Sequence, residues 1–303
     1  MADKIYKKYL FVVLAGIIAG FFAMPQSAVG AKKLLAAPDV LVSSDNLLQA
    51  DTLLVVVKNE QNDITGTFGQ VSLHFSRSQD GKDWVAITGA VVKKSPGNYK
   101  LTIKSPGKKI FQEDIKVSAR KFPVIPYTAT KELEDKGLTP EENIKNITTT
   151  EKKALGSVLD LFNPEYYFTK PFVNPLSEIK VTGPYGDIKD YNNYKIMHVG
   201  VDLRAATGTA VFAVNDGLVS FEENLPDYGN TLVLDHGLGM YSMYCHLSEF
   251  KAKLGDMAKQ GDVIALSGDT GYVTGPHLHF AIRVRGSSLD PLKFIQATQL
   301  LPW

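Results

Sequence analysis

Gly275-Pro276-His277-Leu278-His279-Phe280 is the stretch from which this chain is read. It opens a run in which Leu278, Phe280, Ile282 and Val284 recur at every second position, the period of a strand with one apolar face. Successive strand side chains point to opposite sides, so His277 and His279 share the other face. Alone, such a pair would also suit a solvated strand face. Two further stretches converge on the same chemistry. In His198-Val199-Gly200-Val201-Asp202 the valines alternate with a histidine and a carboxylate. That spacing would also fit one face of a helix, but Gly200 and two β-branched residues favour a strand. No His-Glu-x-x-His is present, which excludes the helical zinc-protease motif. Met243-Tyr244-Cys245-His246-Leu247-Ser248 sets another histidine in an apolar, strand-like run. The chain therefore directs four histidines and one aspartate at one place.

In this order, His198-x-Gly200-x-Asp202, Tyr244-x-His246-Leu247-Ser248 and Gly275-Pro276-His277-Leu278-His279-Phe280 resemble the LytM/lysostaphin-type zinc metallopeptidases that cut cell-wall peptides. The resemblance covers residues 171–292. It implies a compact antiparallel β core with the metal in an open groove, one Zn2+ ion held by His198, Asp202 and His279, and His246 and His277 as the catalytic pair. Three ligands of the His/Asp type, with the fourth position left to water or substrate, are what a catalytic zinc ordinarily has. One histidine of the pair would take a proton and return it to the leaving amine while the other stabilises the oxyanion. Which does which stays open. Relatives use a tyrosine just upstream of the first ligand, for which Tyr191 and Tyr194 are both candidates. Asn230 and Thr274 flank the motifs as further groove candidates. The chain departs from the family pattern at Ala281, where glutamate is common. It departs again at Gly183-Pro184-Tyr185-Gly186, where Ser-x-Phe-Gly followed by arginine is common.

The 303 residues, 44% hydrophobic and 21% charged, suffice for two domains with cores of their own. Lys+Arg 33 against Asp+Glu 32 leaves a net charge of +1, which gives no support to a nucleic-acid partner. Residues 1–31 differ from the rest. Lys4, Lys7 and Lys8 precede an apolar run and then small residues, the pattern of a secretory signal peptide, with an uncleaved membrane anchor as the alternative. No cysteine follows the run, which excludes a lipoprotein-type anchor. The single cysteine, Cys245, rules out an internal disulfide and is expected to pack in the core.

Residues 35–122 read as a small β-sandwich, with a continuous apolar run at Leu53 to Val57, an alternating one from Tyr99, and Pro-Gly turns between strands. This part resembles an immunoglobulin-like domain found ahead of the peptidase domain in some members of the family. His74 is expected as an outward strand histidine. Residues 123–168 form a bridge. Pro123 and Pro126 break the sheet, and Thr139-Pro140-Glu141-Glu142 opens a helix with an N-cap, a first-turn proline and a capping-box glutamate. From 169 to 298 the reading returns to strands separated by glycine-rich turns, and Asp235 and His236 read as turn residues.

The fold class expected is therefore mostly β: an N-terminal β-sandwich, a helical linker and a C-terminal antiparallel metallopeptidase domain with an open groove. The function expected is that of an exported zinc endopeptidase acting on peptidoglycan cross-links or stem peptides in the bacterial envelope. A non-catalytic wall-binding or regulatory module is the alternative. An autoinhibitory contact between residues 35–168 and the groove is a further expectation.

Overall fold

The computed structural model describes residues 39–300 except 79–80, 128–129, 132, 134–138 and 192–193. The signal or anchor reading of residues 1–31 lies outside the described residues. Among these no helix is long and apolar enough to cross a membrane. The fold is mostly β, as expected.

Two sheets make the front part. One has the order β1 (Val40–Val42), β3 (Thr52–Val57), β7 (Trp84–Gly89), β6 (Ser76–Arg77). The other runs β2 (Asn46–Leu48), β9 (Lys108–Ser118), β8 (Gly97–Ser105), β4 (Thr65–Phe68), β5 (Val71–Leu73). Leu53, Val55 and Val57 pack with Phe68, Leu101, Ile103 and Ile115 between them. All of β3 is buried. Its alternate residues Leu54 and Val56 belong instead to the core of the C-terminal part, with Phe172, Leu289 and Phe294. A strand covered on both faces has no reason to alternate, which explains the unbroken apolar run. The described residues all fall in one compact unit. Arg120 to Asp290 (2.8 Å) and Lys293 to Asp51 (2.6 Å) clamp the two parts.

The bridge begins differently from expectation. Val124–Pro126 forms β10, which pairs in parallel with β12 (Ile188–Asp190), itself paired with β13 (Lys195–Met197). Pro123 and Pro126 forbid a central strand but not this edge position, where a missing N–H faces outward. The helical part follows as α1 (Pro140–Asn146), a π turn (Ile147–Glu151) and α2 (Lys152–Leu159). Thr139 caps α1, its Oγ1 accepting from Glu142 N at 3.2 Å. Leu155 and Leu159 pack on Phe221, Tyr241, Met243 and Cys245.

The C-terminal sheet has the order β11 (Val181–Gly183), β14 (Val201–Arg204), β21 (His277–Val284), β18 (Met240–Phe250), β17 (Gly229–Gly237), β16 (Gly217–Leu225), β19 (Met257–Ala258). β15 (Ala210–Phe212), β20 (Val263–Ser267) and β22 (Ser287–Leu289) attach to it, and α3 (Pro291–Thr298) follows with Asp290 as its cap. One face buries Val201, Leu203, Tyr244, Leu278 and Phe280. The other buries Met243, Cys245 and Ala281 under α2. Asp235 and His236 are not turn residues. Both lie in β17 and are buried, His236 fully, with Nδ1 at 2.7 Å from the Asp216 carbonyl and Nε2 at 2.8 Å from Ser242 Oγ. The hairpin turn comes at Leu238-Gly239, because β17 runs through both residues to Gly237.

Candidate metal centre

Strand pairing assembles the centre. β14 lies antiparallel to β21 with Asp202 directly opposite His279 and Arg204 opposite His277, so the carboxylate and both imidazoles of the His-x-His pair share a face. His198 precedes β14. Its Nδ1 donates to the Pro184 carbonyl at 2.8 Å, which leaves a lone pair on Nε2. That Nε2 is 3.0 Å from Asp202 Oδ1 and 3.0 Å from His279 Nδ1, and the last two are 2.9 Å apart.

Three acceptor atoms at the corners of a triangle with sides near 3 Å repel one another unless something positive sits between them. A point just off its plane is about 2 Å from all three, the ordinary zinc–nitrogen and zinc–oxygen distance. Two imidazoles and one carboxylate are also the donor set zinc prefers. Burial would raise Asp202, but its contacts with His198 and His279 hold its carboxyl well below the usual range. Burial pushes His279 down to about 4, so it is neutral at pH 7. The residues thus fit a zinc ion. The far side of the His279 ring is closely enclosed. Its Nε2 is buried without a hydrogen-bond partner among the described residues, and it lies so close to Gly200 that a methyl group there would stand 2.5 Å away.

His246 and His277 stand beside the triangle with ring centroids 4.8 Å apart, and His246 is 6.0 Å from the His279 ring. Each donates Nδ1–H to a backbone carbonyl, Thr270 O at 2.9 Å and Gly275 O at 2.9 Å respectively. Each Nε2 therefore carries a lone pair. Burial, then the nearby His277 and His279, holds His246 well below the usual histidine range.

The route by which His246 reaches this face was not legible in the motif. Cys245 pairs directly with His279, so Cys245, buried as expected, has the same face, and strict alternation would send His246 into the opposite core. A register shift between Asn230–Leu247 and Leu232–Tyr244 puts one extra residue in β18 at this point. His246 takes a left-handed backbone with φ 59°, and this bulge turns its ring back to the metal face.

These residues line a cavity of about 410 Å3 together with Tyr191, Thr274, Tyr228, Tyr272 and Asp227. Of the weaker candidates, Tyr191 forms part of the wall, buried and 4.6 Å from the Tyr127 ring, and Thr274 lies at the rim. Tyr194 is exposed and does not line the cavity, its carbonyl accepting from Tyr191 N at 2.8 Å. Asn230 does not line it either, and instead ties the bulge, donating Nδ2 to the Leu247 carbonyl at 3.0 Å. Sequence reasoning missed Tyr127, Asn143 and Ile147, bridge residues that line the cavity from upstream. The one available signal was the aromatic and amide character of that bridge, too general to use.

Residues 196–291 match the family described as "Peptidase family M23". Over 96 residues, 32% of this chain and 22% of the relative, the sequence is 42% identical to "Peptidoglycan DD-endopeptidase ShyA" of Vibrio cholerae serotype O1. It is 34% identical over 125 residues, 40% of this chain and 28% of the relative, to "DD-carboxypeptidase/endopeptidase Mpg" of Neisseria meningitidis serogroup B. The chain spans less than a third of the length of these curated relatives. A crystal structure described as peptidase M23 from Pseudomonas aeruginosa aligns with TM-score 0.56 at 26% identity, over 80% of this chain and 93% of that one. The metal triangle and the histidine pair all fall inside the matched residues, and residues 196–291 form a peptidase family M23 domain of the LytM/lysostaphin type.

Proposed function

We propose that this protein is a zinc-dependent endopeptidase that hydrolyses peptide bonds in peptidoglycan. The observation that carries the reading is the acceptor triangle of His198, Asp202 and His279 with two bare imidazole Nε2 atoms beside it in one cavity. Zinc held there would supply Lewis acidity toward a water and a scissile carbonyl. The chain's own residues do the rest. His246, kept neutral by burial, accepts a proton at Nε2 and returns it to the leaving amine, while its Nδ1–H to Thr270 fixes the ring. His277, its ring fixed by Nδ1–H to the Gly275 carbonyl, stands with Nε2 3.7 Å from Asp202 Oδ1, and in its cationic form it would donate from Nε2 to a developing oxyanion. Tyr127, Tyr191, Tyr228 and Tyr272 line the cavity beside them.

The substrate reading draws on the relatives named as peptidoglycan endopeptidases. It places the protein in the bacterial envelope, with residues 1–31 as signal or anchor. The division into a front domain at 35–122, a bridge at 123–168 and a peptidase domain at 169–298 belongs to the same reading, as do the roles of the site residues. The autoinhibitory contact we assign to Tyr127, Asn143 and Ile147, which line the cavity from the bridge. The test is mass spectrometry of fragments released from purified peptidoglycan, with zinc-stripped and His246→Ala protein alongside. New amino and carboxyl ends appearing only with the intact, metal-loaded site support the peptidase. Silence from all three, with another wall hydrolase activated equally well by His246→Ala, moves the assignment to a regulatory module.

A further inference from the structure

The residue that holds His246 in its left-handed conformation is not beside it in the sequence. A histidine with φ 59° is strained relative to a glycine in the same bulge, and such a conformation persists only where its surroundings fix it. His246 N–H donates to the Tyr228 carbonyl at 2.8 Å. Tyr228 in turn lays its ring 5.7 Å from that of His279. The turn that carries Tyr228 is therefore the mount for both histidines.

That turn is fixed from outside the matched residues. Glu151 Oε1, at the end of the π turn, accepts from Asp227 N at 2.6 Å and from Tyr228 N at 3.0 Å. Glu151 is fully buried, and its other oxygen has no partner among the described residues. The helix is built to put it there. Asn143, Glu151, Leu155 and Leu159 are its buried residues, with Ile147 half-buried between the first two, a stripe that repeats every four positions. Such a stripe drifts around a 3.6-residue helix, and the wider π turn at Ile147–Glu151 takes up the drift. Without it the carboxyl would rotate away from the Asp227-Tyr228 turn.

We infer that Glu151 is a positioning residue for the catalytic histidine: through the Asp227 and Tyr228 amides it locks the bulge that aims His246 at the metal face. The bridge is on this account a working part of the active site, which rests on the peptidase reading above. Only the acceptor oxygen is needed, so the amide oxygen of glutamine can accept from the same two N–H groups.

The test compares Glu151→Ala and Glu151→Gln in the full chain. Glu151→Ala is expected to lower kcat roughly 10- to 100-fold, the scale of a misplaced catalytic group, with KM within about twofold. Glu151→Gln restores most of the rate. Hydrogen exchange of the metal-stripped protein gives a readout independent of activity. In Glu151→Ala the Tyr228 and His246 amides exchange faster while those of β3 and β8 stay protected, and in Glu151→Gln both sets stay protected. Unchanged exchange at Tyr228 and His246 in Glu151→Ala overturns the inference, as does a wild-type kcat. Loss of protection in β3 and β8 of both variants also overturns it, since Glu151 would then serve general stability. If the wild type cuts no peptidoglycan, the peptidase reading fails, while the exchange comparison still decides the mounting role.

Discussion

Gly200→Ala tests the metal triangle through one methyl group. The added carbon would lie 2.5 Å from His279 Nε2, 2.6 Å from Cε1 and 2.8 Å from the Phe280 carbonyl, against the 3.4 Å at which ordinary contact begins. The imidazole must therefore retreat by about 0.9 Å, or the β14–β21 pair must part, whereas metal–ligand distances tolerate only about 0.2 Å. The carbonyl is backbone and cannot swing aside, so the β14–β21 pair must give as well as the ring. Displacing a group that orients a ligand typically costs about 10- to 100-fold in metal affinity, which corresponds to roughly 1.4–2.7 kcal/mol. Zinc affinity would be measured by competition with a chromophoric chelator. Urea unfolding of the metal-stripped protein would separate the loss from simple overpacking, which costs about 1–3 kcal/mol. The expected result is weaker zinc binding beyond any change in apo stability. Affinity within twofold of wild type would refute the reasoning, because His279 would not then be wedged between Gly200 and the metal.

Two further outcomes follow from groups around the site. Burial holds His236 at about 4 against its ordinary 6.5, so below pH 6.5 the unfolded chain binds a proton the native state refuses. Stability is thus full above pH 6.5 and falls through the window down to pH 4, by ~3 kcal/mol from this residue, and urea midpoints of His236→Gln against wild type should converge in that window. Tyr127→Ala removes an aromatic contact worth ~0.5–1.4 kcal/mol from the cavity wall, and initial rates on polymeric peptidoglycan should rise about two- to tenfold if that wall restrains entry. A slower variant would reject the restraint.

What was legible in the sequence was whatever period and residue type fix locally. The alternation around His277 and His279 implies their shared face, and Gly200 between two valines reads as a strand, whereas its close approach to the His279 ring appears only in the structure. What was not legible depends on partners far along the chain. A bulge has no composition of its own when its left-handed position is filled by histidine instead of glycine, so His246 reads as an alternating strand residue that would face the wrong core. The π turn is equally silent, because Ile147-Thr148-Thr149-Thr150-Glu151 has no residue that demands it. The burial of Glu151 is set by two amides seventy-odd positions away. Asp235 and His236 were misread for the same reason: the glycine that follows them suggested a turn, while the Asp216 carbonyl and Ser242 hydroxyl that satisfy the imidazole lie on other elements.

The same long-range dependence bears on the segment that carries the family match. A fragment beginning at Phe168 keeps His198, Asp202, His246, His277 and His279, yet it uncovers two apolar surfaces at once. Leu155 and Leu159 leave Phe221, Tyr241 and Met243 bare, and Leu54, Val56 and Ile87 leave Phe172, Leu289 and Phe294 bare. At about 1.5–3 kcal/mol for each buried aliphatic side chain, five such losses amount to roughly 7–15 kcal/mol, comparable to the whole stability of an ordinary domain at about 5–15. The fragment should therefore unfold at a far lower urea concentration than the full chain, or aggregate. Equal urea midpoints would refute this and return the front part to the status of an attached module. A slow fragment would accordingly say nothing about autoinhibition, whereas a point change at Tyr127, which leaves both interfaces intact, addresses it directly.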